Sequence, residues 1–252
     1  MTIDDYNTIQ HHSFYYLCRM QWQLHPKMNE KLYLRDPEQS DIGRKILKHG
    51  VTLIRELGFE GFTFKKLSEV TKTTEATIYR YFENKHRLLA YIVAWYWYWL
   101  DFQVMFNTHN VESAEKKIKT VIDILTWQIE SGQTTGNDIN MEDLHEIIKT
   151  ESSKVYLTKH VSEDNQAQIF KPYKDLCGRI SSIFLEYSPD YTYPRSLSST
   201  LVETAHSQDF FMLNLPSLTD FSEAKSLVKV KEFLESLVFS SLALPAVAAS
   251  KR

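Results

Sequence analysis

The feature that most constrains the fold is the stretch from Leu88 to Phe106, in which every residue except Asp101 and Gln103 is apolar or aromatic. Asn84, a favourable N-cap residue, precedes this stretch, which is predicted as one long helix. A helix that is apolar on all sides must be covered by other elements on several of them. The sequence therefore predicts a helical body built around this segment.

The rest of the chain also favours helices. Glycine and proline are scarce, with seven of each in 252 residues, which disfavours a many-turned β-sandwich or a phosphate-loop α/β enzyme. No segment predicts a convincing strand. We expect an all-α protein of about nine helices: an extension or arm at 1–39, a three-helix helix-turn-helix domain at 40–86, and a helical bundle domain at 87–252. The helices predicted in the bundle, after the long one, are 111–131, 141–157, a segment ending near Tyr187, 194–215 and 222–243.

Two further features bear on the compartment. The longest apolar runs, Tyr91–Leu100 and Leu237–Ala249, are too short to span a bilayer, and the acidic N-terminus does not resemble a secretory signal. Cys18 and Cys177 lie far apart and form no Cys-x-x-Cys pair, which disfavours a disulfide framework and a zinc quartet. We expect a cytoplasmic protein without a membrane segment.

Charge is distributed unevenly along the chain. The net charge is −3, yet residues 41–90 carry 10 basic and 6 acidic groups, whereas residues 91–252 carry 15 and 21. A sum over the whole chain can hide a basic module that binds phosphates. The basic block is therefore the first place to look for a nucleic-acid contact.

Three short helices are predicted within the basic block. Ser40 can cap the first and Gly58 follows its end; its apolar positions at helical spacing are Ile42, Ile46, Leu53 and Leu57. Thr63 can cap the second, and its expected buried residues are Phe64, Leu67 and Val70. Thr73 or Thr74 can cap the third, which runs through Ile78 to about Tyr81. The break between the second and third helices has the length of the turn in a helix-turn-helix.

The segment from Gly58 to Lys85 resembles the DNA-binding domain of the TetR family of transcriptional regulators. Its most specific part is Thr77-Ile78-Tyr79-Arg80-Tyr81-Phe82, followed by Lys85 and Leu88-Leu89, which is similar to the recognition helix of the family and the start of the next helix. The resemblance implies a homodimer that binds double-stranded operator DNA and is usually a repressor. It also implies that the C-terminal helices dimerise and enclose an effector pocket. No cofactor is expected.

The third helix supplies the expected contacts to DNA. Its N-terminus offers unpaired backbone N–H groups, and Thr74, Glu75 and Thr77 lie where an inserted helix presents side chains to base edges. Tyr79 and Lys85 would contact the DNA backbone, and Ile78 and Phe82 should face inward. Simple helix capping is the alternative role for Thr74 and Glu75. The full predicted DNA-binding set is Lys65, Thr74, Glu75, Thr77, Tyr79, Arg80 and Lys85.

The sequence departs from the family pattern at two points. Lys72 stands where the family usually has the turn glycine, so a non-glycine residue is expected in a left-handed conformation at a cost of roughly 1 kcal/mol. Glu75 and Ala76 stand where Lys and Gly are common. A carboxylate repels phosphates but can accept a hydrogen bond from a cytosine amino group, so the operator cannot be copied from a relative.

The N-terminal extension leaves alternatives open. Residues 1–27 fit no part of the family pattern, and either an over-extended start codon or an added helix explains them; the residues available for packing in such a helix are Phe14, Tyr15, Leu17, Cys18 and Trp22. Residues 29–36 carry Lys31 and Arg35, which suit a minor-groove arm or a solvated linker.

An apolar or aromatic effector is the expected small-molecule partner. The predicted ligand-binding residues are Trp95, Trp99, Phe102 and Trp127, because this aromatic set can line a pocket behind the DNA-binding domain. Core packing is the alternative role for each of them. Control by a protein partner, or by no ligand, is the alternative within the same fold.

The last two helices are predicted to form the homodimer. Each carries an apolar stripe that would be too large a patch on a soluble monomer, and pairing with the symmetry mate would cover it. The two stripes are Leu227, Val230, Leu234, Leu237 and Ser241, and Leu197, Leu201, Ala205 and Met212.

A metal-binding helical-bundle enzyme is the alternative from another class. Three Glu-x-x-His pairs, a spacing used by di-iron bundles, motivate it: Glu83/His86, Glu142/His145 and Glu203/His206. No nucleophile elbow, P-loop or dinucleotide turn is present. We therefore predict neither a catalytic nor a metal site, and expect His206 to be a hydrogen-bonded histidine at an interface.

Overall fold

The computed structural model of the protein describes residues 27–127, 139–222 and 226–243. Over these ranges the chain is helical and forms no β-strand, which confirms the predicted all-α class. The helices are α1 (Asp41–Gly61), α2 (Phe64–Thr71), α3 (Glu75–Tyr79), α4 (Lys85–Thr108), α5 (Ala114–Leu125), α6 (Met141–Glu151), α7 (Ser153–Tyr156), α8 (Val161–Gln166), α9 (Lys171–Tyr187), α10 (Pro194–Asn214) and α11 (Leu227–Leu242). Short 3-10 turns lie at Glu30–Leu32, Pro37–Gln39 and Pro216–Leu218.

These eleven helices are two more than the nine predicted. The predicted helix 141–157 is divided at Ser152 into α6 and α7, and α8 is too short to produce a readable hydrophobic period. The predicted N-terminal helix, residues 128–131 and residues 223–225 lie outside the described residues. None of the helices in the described part of the chain is long and apolar enough to cross a bilayer.

The predicted N-caps set the starts of the first four helices. The side chains of Ser40, Thr63, Thr74 and Asn84 each accept a hydrogen bond from the backbone N–H three residues later. Such a bond satisfies one of the donors that a helix N-terminus leaves free. Thr74, rather than Thr73, therefore caps α3.

The buried face of α1 differs from the predicted stripe. The buried residues of its regular turns are Gly43, Ile46, Leu47, Gly50, Val51 and Ile54. Leu57 is 42% exposed, and Val70 of α2, also predicted to be buried, is 45% exposed. Gly50 explains why this face of α1 is the buried one. A Cβ at position 50 would lie only 3.3 Å from a methyl group of Leu88 on α4, so glycine allows the two helices to approach closely on this face.

Helix α4 is the centre of the body, as its composition predicts. Its residues from Leu88 to Trp97 are all buried, and it packs against α1, α5, α6 and α9. Trp97 lies against Tyr173 of α9, with ring centroids 4.6 Å apart. Trp99, Leu100 and Val104 are buried farther along the helix. The one charge in this part, Asp101, is partly buried and accepts hydrogen bonds from Nε and Nη2 of Arg179 at 2.6 and 3.0 Å. This pair satisfies the carboxylate that the apolar stretch carries into the body.

The apolar stripes of the last two helices lie inside the subunit. Leu201, Val230 and Leu234 are fully buried, because α11 packs against α5 and α10 of the same chain. The premise that these stripes are exposed on one subunit is therefore wrong. The large apolar side chains that α10 and α11 expose are instead Leu213, Val228 and Phe233.

Candidate functional site

The turn between α2 and α3 has the conformation expected of a helix-turn-helix. Lys72 lies in the left-handed region, with φ 53° and ψ 46°, as predicted from the missing glycine. The N–H of Thr73 donates to the carbonyl of Ser68 at 3.0 Å and closes the turn. Ile78 and Phe82 are completely buried, which confirms their inward orientation and fixes the outward face of α3.

That outward face presents the predicted base-contacting residues to solvent. Thr74, Glu75 and Ala76 are exposed at the N-terminus of α3, and Thr77 is half-buried. Thr74 Oγ1 accepts from the Thr77 N–H at 3.2 Å and lies 3.0 Å from Thr77 Oγ1. Thr74 therefore caps α3, which is the alternative role that the sequence offered. Its side chain is also exposed on the outward face of the helix.

The remaining predicted residues surround this surface. Lys65 and Arg80 are exposed, and Tyr79 is 48% exposed with its ring edge-on to Phe64 at 5.0 Å. Lys66, which the basic block also offers for phosphate contacts, and Lys72, which the sequence prediction omitted, are exposed on the same helix-turn unit. The charge of Lys72 was the only available signal. The site is thus a positively charged rim around a polar helix end, a combination that suits phosphates outside and base edges inside.

Lys85 has a structural role at the edge of this surface. Its ammonium donates to the carbonyls of Phe59 and Phe62 at 2.9 and 3.3 Å and lies 4.6 Å from the centroid of the Phe59 ring. These contacts join the end of α1 to the start of α4. An amine anchored in this way holds a fixed position at the end of α1.

A polar junction connects α1 to the body. Arg55 Nε lies 3.1 Å from Asp143 Oδ1 on α6, and the buried carboxylate of Glu151 accepts the backbone N–H of Phe59 at 3.0 Å. Glu151 also pairs with Lys154 at 2.6 Å. The N–H of Phe59 follows Gly58, whose φ of +68° interrupts the helix. Sequence reasoning missed Glu151, since its partner is distant in the chain.

A cavity of about 340 Å³ lies beside this junction, between α1, α5, α6, α10 and α11. Its lining residues are Arg55, Leu125, Thr126, Trp127, Glu142, Asp143, His145, Glu146, Lys149, Ala205, Asp209, Leu213, Leu227 and Val230. Trp127 is the one predicted ligand residue among them. Trp95 is buried and donates to Glu38 at 3.1 Å, Trp99 is buried against Trp127, and Phe102 stacks on Phe106. A second cavity beside α4 measures only about 10 Å³.

A buried chain of hydrogen bonds runs from the core to the wall of the larger cavity. The hydroxyl of Tyr96 lies 3.1 Å from His206 Nε2 and 3.1 Å from His145 Nδ1. His206 Nδ1 donates to the carbonyl of Val202 at 2.8 Å, and His145 Nε2 lies 3.3 Å from Asp209. His206 is therefore hydrogen-bonded, as predicted, but inside the subunit and not at an interface.

Burial controls the ionisation of the side chains in this hydrogen-bonded series. It lowers the pKa of His206 to about 3 and also lowers the pKa of His145, because a charged imidazole is poorly solvated there. Burial opposes ionisation of Asp209, but His145 and Lys149 outweigh it and bring its pKa to about 2. Within the described residues, no group of three or more His, Cys, Asp or Glu side chains is arranged to hold a metal ion.

Comparison with known proteins agrees with the helix-turn-helix geometry. Residues 46–92 match the family described as bacterial regulatory proteins, tetR family. The fold is similar to that of the fatty acid degradation regulator FadR from Bacillus halodurans, with a TM-score of 0.57, 14% identity, and coverage of 84% of this chain and 98% of that one. No curated protein matches the chain in sequence.

Two further structures share the fold. AibR in complex with isovaleryl coenzyme A and operator DNA gives a TM-score of 0.54 at 15% identity, with 78% of this chain and 98% of that one covered. A TetR-family transcriptional regulator from Bordetella parapertussis 12822 gives 0.51 at 13% identity, with 82% and 100% covered. At these identities the likeness concerns the fold.

Proposed function

We propose that this chain, whose N-terminal domain is that of the TetR family, is a cytoplasmic transcriptional repressor that binds palindromic operator DNA as a homodimer. The observation that carries the proposal is the exposed N-terminal end of α3, with Thr74, Glu75 and Thr77 in front and a rim of lysine and arginine side chains around it. We divide the chain accordingly into a DNA-binding domain at 40–86 and a regulatory and dimerisation domain at 87–252.

A twofold dimer follows from how DNA is read by this motif. Two copies of α3 about 34 Å apart would enter successive major grooves and contact two half-sites one helical turn apart. We place the dimer contact on the outward faces of α10 and α11, which expose Val228 and Phe233. Burial of such side chains between subunits supplies the apolar core that a stable homodimer requires.

A small-molecule effector would release the DNA. The cavity of about 340 Å³ touches both Arg55 on α1 and Asp143 on α6, so its occupant would contact the DNA-binding domain and the body together. The AibR complex with isovaleryl coenzyme A and operator DNA supports a small-molecule site and a DNA site on one regulator of this fold. Coupling of this kind typically changes DNA affinity by roughly 5- to 150-fold.

Selection of bound sequences from random double-stranded DNA tests the proposal. The purified protein should enrich a palindrome, and Thr77→Ala or Glu75→Ala should change the preferred bases, because these residues face the base edges. Ser182→Ala, an exposed substitution on α9 outside the proposed DNA and dimer faces, is the control and should select the same palindrome. Failure of the unaltered protein to enrich any sequence would contradict the assignment.

A further inference from the structure

The cavity beside the α1–α6 junction has two different walls. Leu125, Ala205 and Val230 form an apolar side, and the half-buried Trp127 adjoins it. The opposite side is contributed by α6 and α10 and carries most of the charge. A molecule that fills this cavity must therefore have an apolar body and a polar or charged end.

The cations of the charged wall already have partners. Lys149 has only 3% of its side chain exposed, and its ammonium lies 2.5 Å from Glu146 and 2.7 Å from Asp209. Arg55 is paired with Asp143 at 3.1 Å. Neither cation is free to receive an anionic ligand without losing a carboxylate that it now neutralises.

The carboxylates of the wall outnumber the cations. Four carboxylates line the cavity, namely Glu142, Asp143, Glu146 and Asp209, against Arg55 and Lys149. His145 adds no positive charge near neutral pH, since burial lowers its pKa. The field inside the cavity is therefore negative, and it attracts a cation and repels a carboxylate or a phosphate.

We infer that this cavity binds a small amphipathic cation, with its apolar body against Leu125 and Val230 and its ammonium among the carboxylates of α6 and α10. Trp127 favours the same ligand, because its ring lies next to His145 of α6, with centroids 4.6 Å apart, and an aromatic ring attracts a cation. The site differs from the aromatic pocket along α4 that the sequence predicts, and it selects a charged rather than a neutral effector.

The position of the site also gives it a route to the DNA-binding domain. An ammonium that reaches Asp143 competes with Arg55, which is half exposed and can move away. Loss of that pair loosens α1 from α6, so binding of the cation lowers the affinity for DNA. This second step rests on the proposed function, whereas the binding step does not.

Three probes that share one phenylbutyl body test the ligand class: 4-phenylbutylamine, 4-phenylbutan-1-ol and 5-phenylpentanoate. Titration calorimetry of the full chain, without DNA, should show the amine binding at least about tenfold more tightly than the alcohol, and the carboxylate most weakly. Tryptophan fluorescence provides a second readout, and the part of its change that comes from Trp127 should be absent in Trp127→Phe.

Charge-neutralising variants connect the preference to the wall. Glu142→Gln combined with Glu146→Gln should reduce the preference for the amine over the alcohol several-fold, whereas Glu163→Gln combined with Glu112→Gln, both exposed and outside the cavity lining, should leave it unchanged. Lys149 keeps Asp209 in the first double variant, so the fold is retained. Circular dichroism checks this for both variants.

Each contrary result has a distinct meaning. Binding of the carboxylate as tight as that of the amine, or binding of none of the three probes, would overturn the inference even if the protein still selects a palindrome. An amine preference that survives the Glu142/Glu146 double variant would also overturn it. Failure of the proposed function would appear separately, as loss of specific DNA binding in the absence of any probe.

Discussion

Glu151 should hold the end of α1 against the body through a single backbone hydrogen bond. Its carboxylate is buried and accepts the N–H of Phe59 at 3.0 Å, next to the left-handed Gly58. Glu151→Ala would leave that donor without a partner in the interior. An unsatisfied buried donor costs about 1–3 kcal/mol, whereas the lost pair with the partly exposed Lys154 adds only about 0–1 kcal/mol.

Chemical denaturation followed by circular dichroism measures this loss. We expect the free energy of unfolding to fall by about 1–3 kcal/mol in Glu151→Ala, with the melting temperature lower by about 2–4 °C for each kcal/mol. Glu151→Gln is the matched control, because its amide oxygen still accepts the Phe59 N–H. It should retain most of the stability.

Hydrogen exchange at the Phe59 amide provides an independent readout. The exchange rate should rise in Glu151→Ala and stay close to that of the unaltered protein in Glu151→Gln. If Glu151→Ala were as stable as the unaltered protein, or if the two variants were equally destabilised, the hydrogen bond would not be the source of the stabilisation and the reasoning would be refuted.

Substitutions at Lys85, His206 and Phe233 test three other parts of the structure. Lys85→Ala should lower the free energy of unfolding by about 1–2 kcal/mol and weaken binding to all DNA sequences, because it releases the end of α1. Lys65→Ala should leave stability unchanged and only flatten the salt dependence of DNA binding. Equal melting curves for Lys85→Ala and the unaltered protein would contradict the predicted loss of stability. Stability should fall as the pH drops below about 6.5, because His206 is protonated there in the unfolded chain but stays neutral in the folded chain down to a pH of about 3. Between these two pH values, the denaturation midpoint of His206→Asn should decline less steeply than that of the unaltered protein. Phe233→Asp should weaken the dimer in sedimentation and leave the fold intact. Leu234→Asp should unfold the subunit, because it buries an unpaired charge. A folded, dimeric Leu234→Asp would show that α11 does not pack inside the subunit in this way.

Local interactions made the three helices of the helix-turn-helix predictable. An N-cap such as Thr63 or Asn84 bonds to an N–H three residues away, so its whole interaction is contained in a short stretch of sequence. The left-handed conformation of Lys72 was predictable because Lys72 occupies the position at which the turn usually has a glycine. The central position of the long helix α4 followed from composition, because a helix that is apolar on all sides must be covered by other elements.

Contacts between distant segments were beyond the reach of these patterns. Glu151 and Phe59 are 92 positions apart, and nothing near either residue marks the other as its partner. Leu234 illustrates a second limit of sequence patterns. An apolar stripe indicates that a helix face is buried, but it does not indicate whether the same subunit or another subunit buries it. The cavity likewise depends on how five helices meet, and only Trp127 of its lining was anticipated.

Methylation protection on a selected DNA site tests the central claim most directly, because dimethyl sulfate reports guanine N7 atoms in the major groove. We expect two protected patches whose centres are one helical turn apart, on the same face of the duplex. In Thr77→Ala, protection should be lost within both patches at a protein concentration that still covers the DNA backbone. A single protected patch, or protection that Thr77→Ala leaves unchanged, would contradict the assignment of α3 as the element that reads DNA.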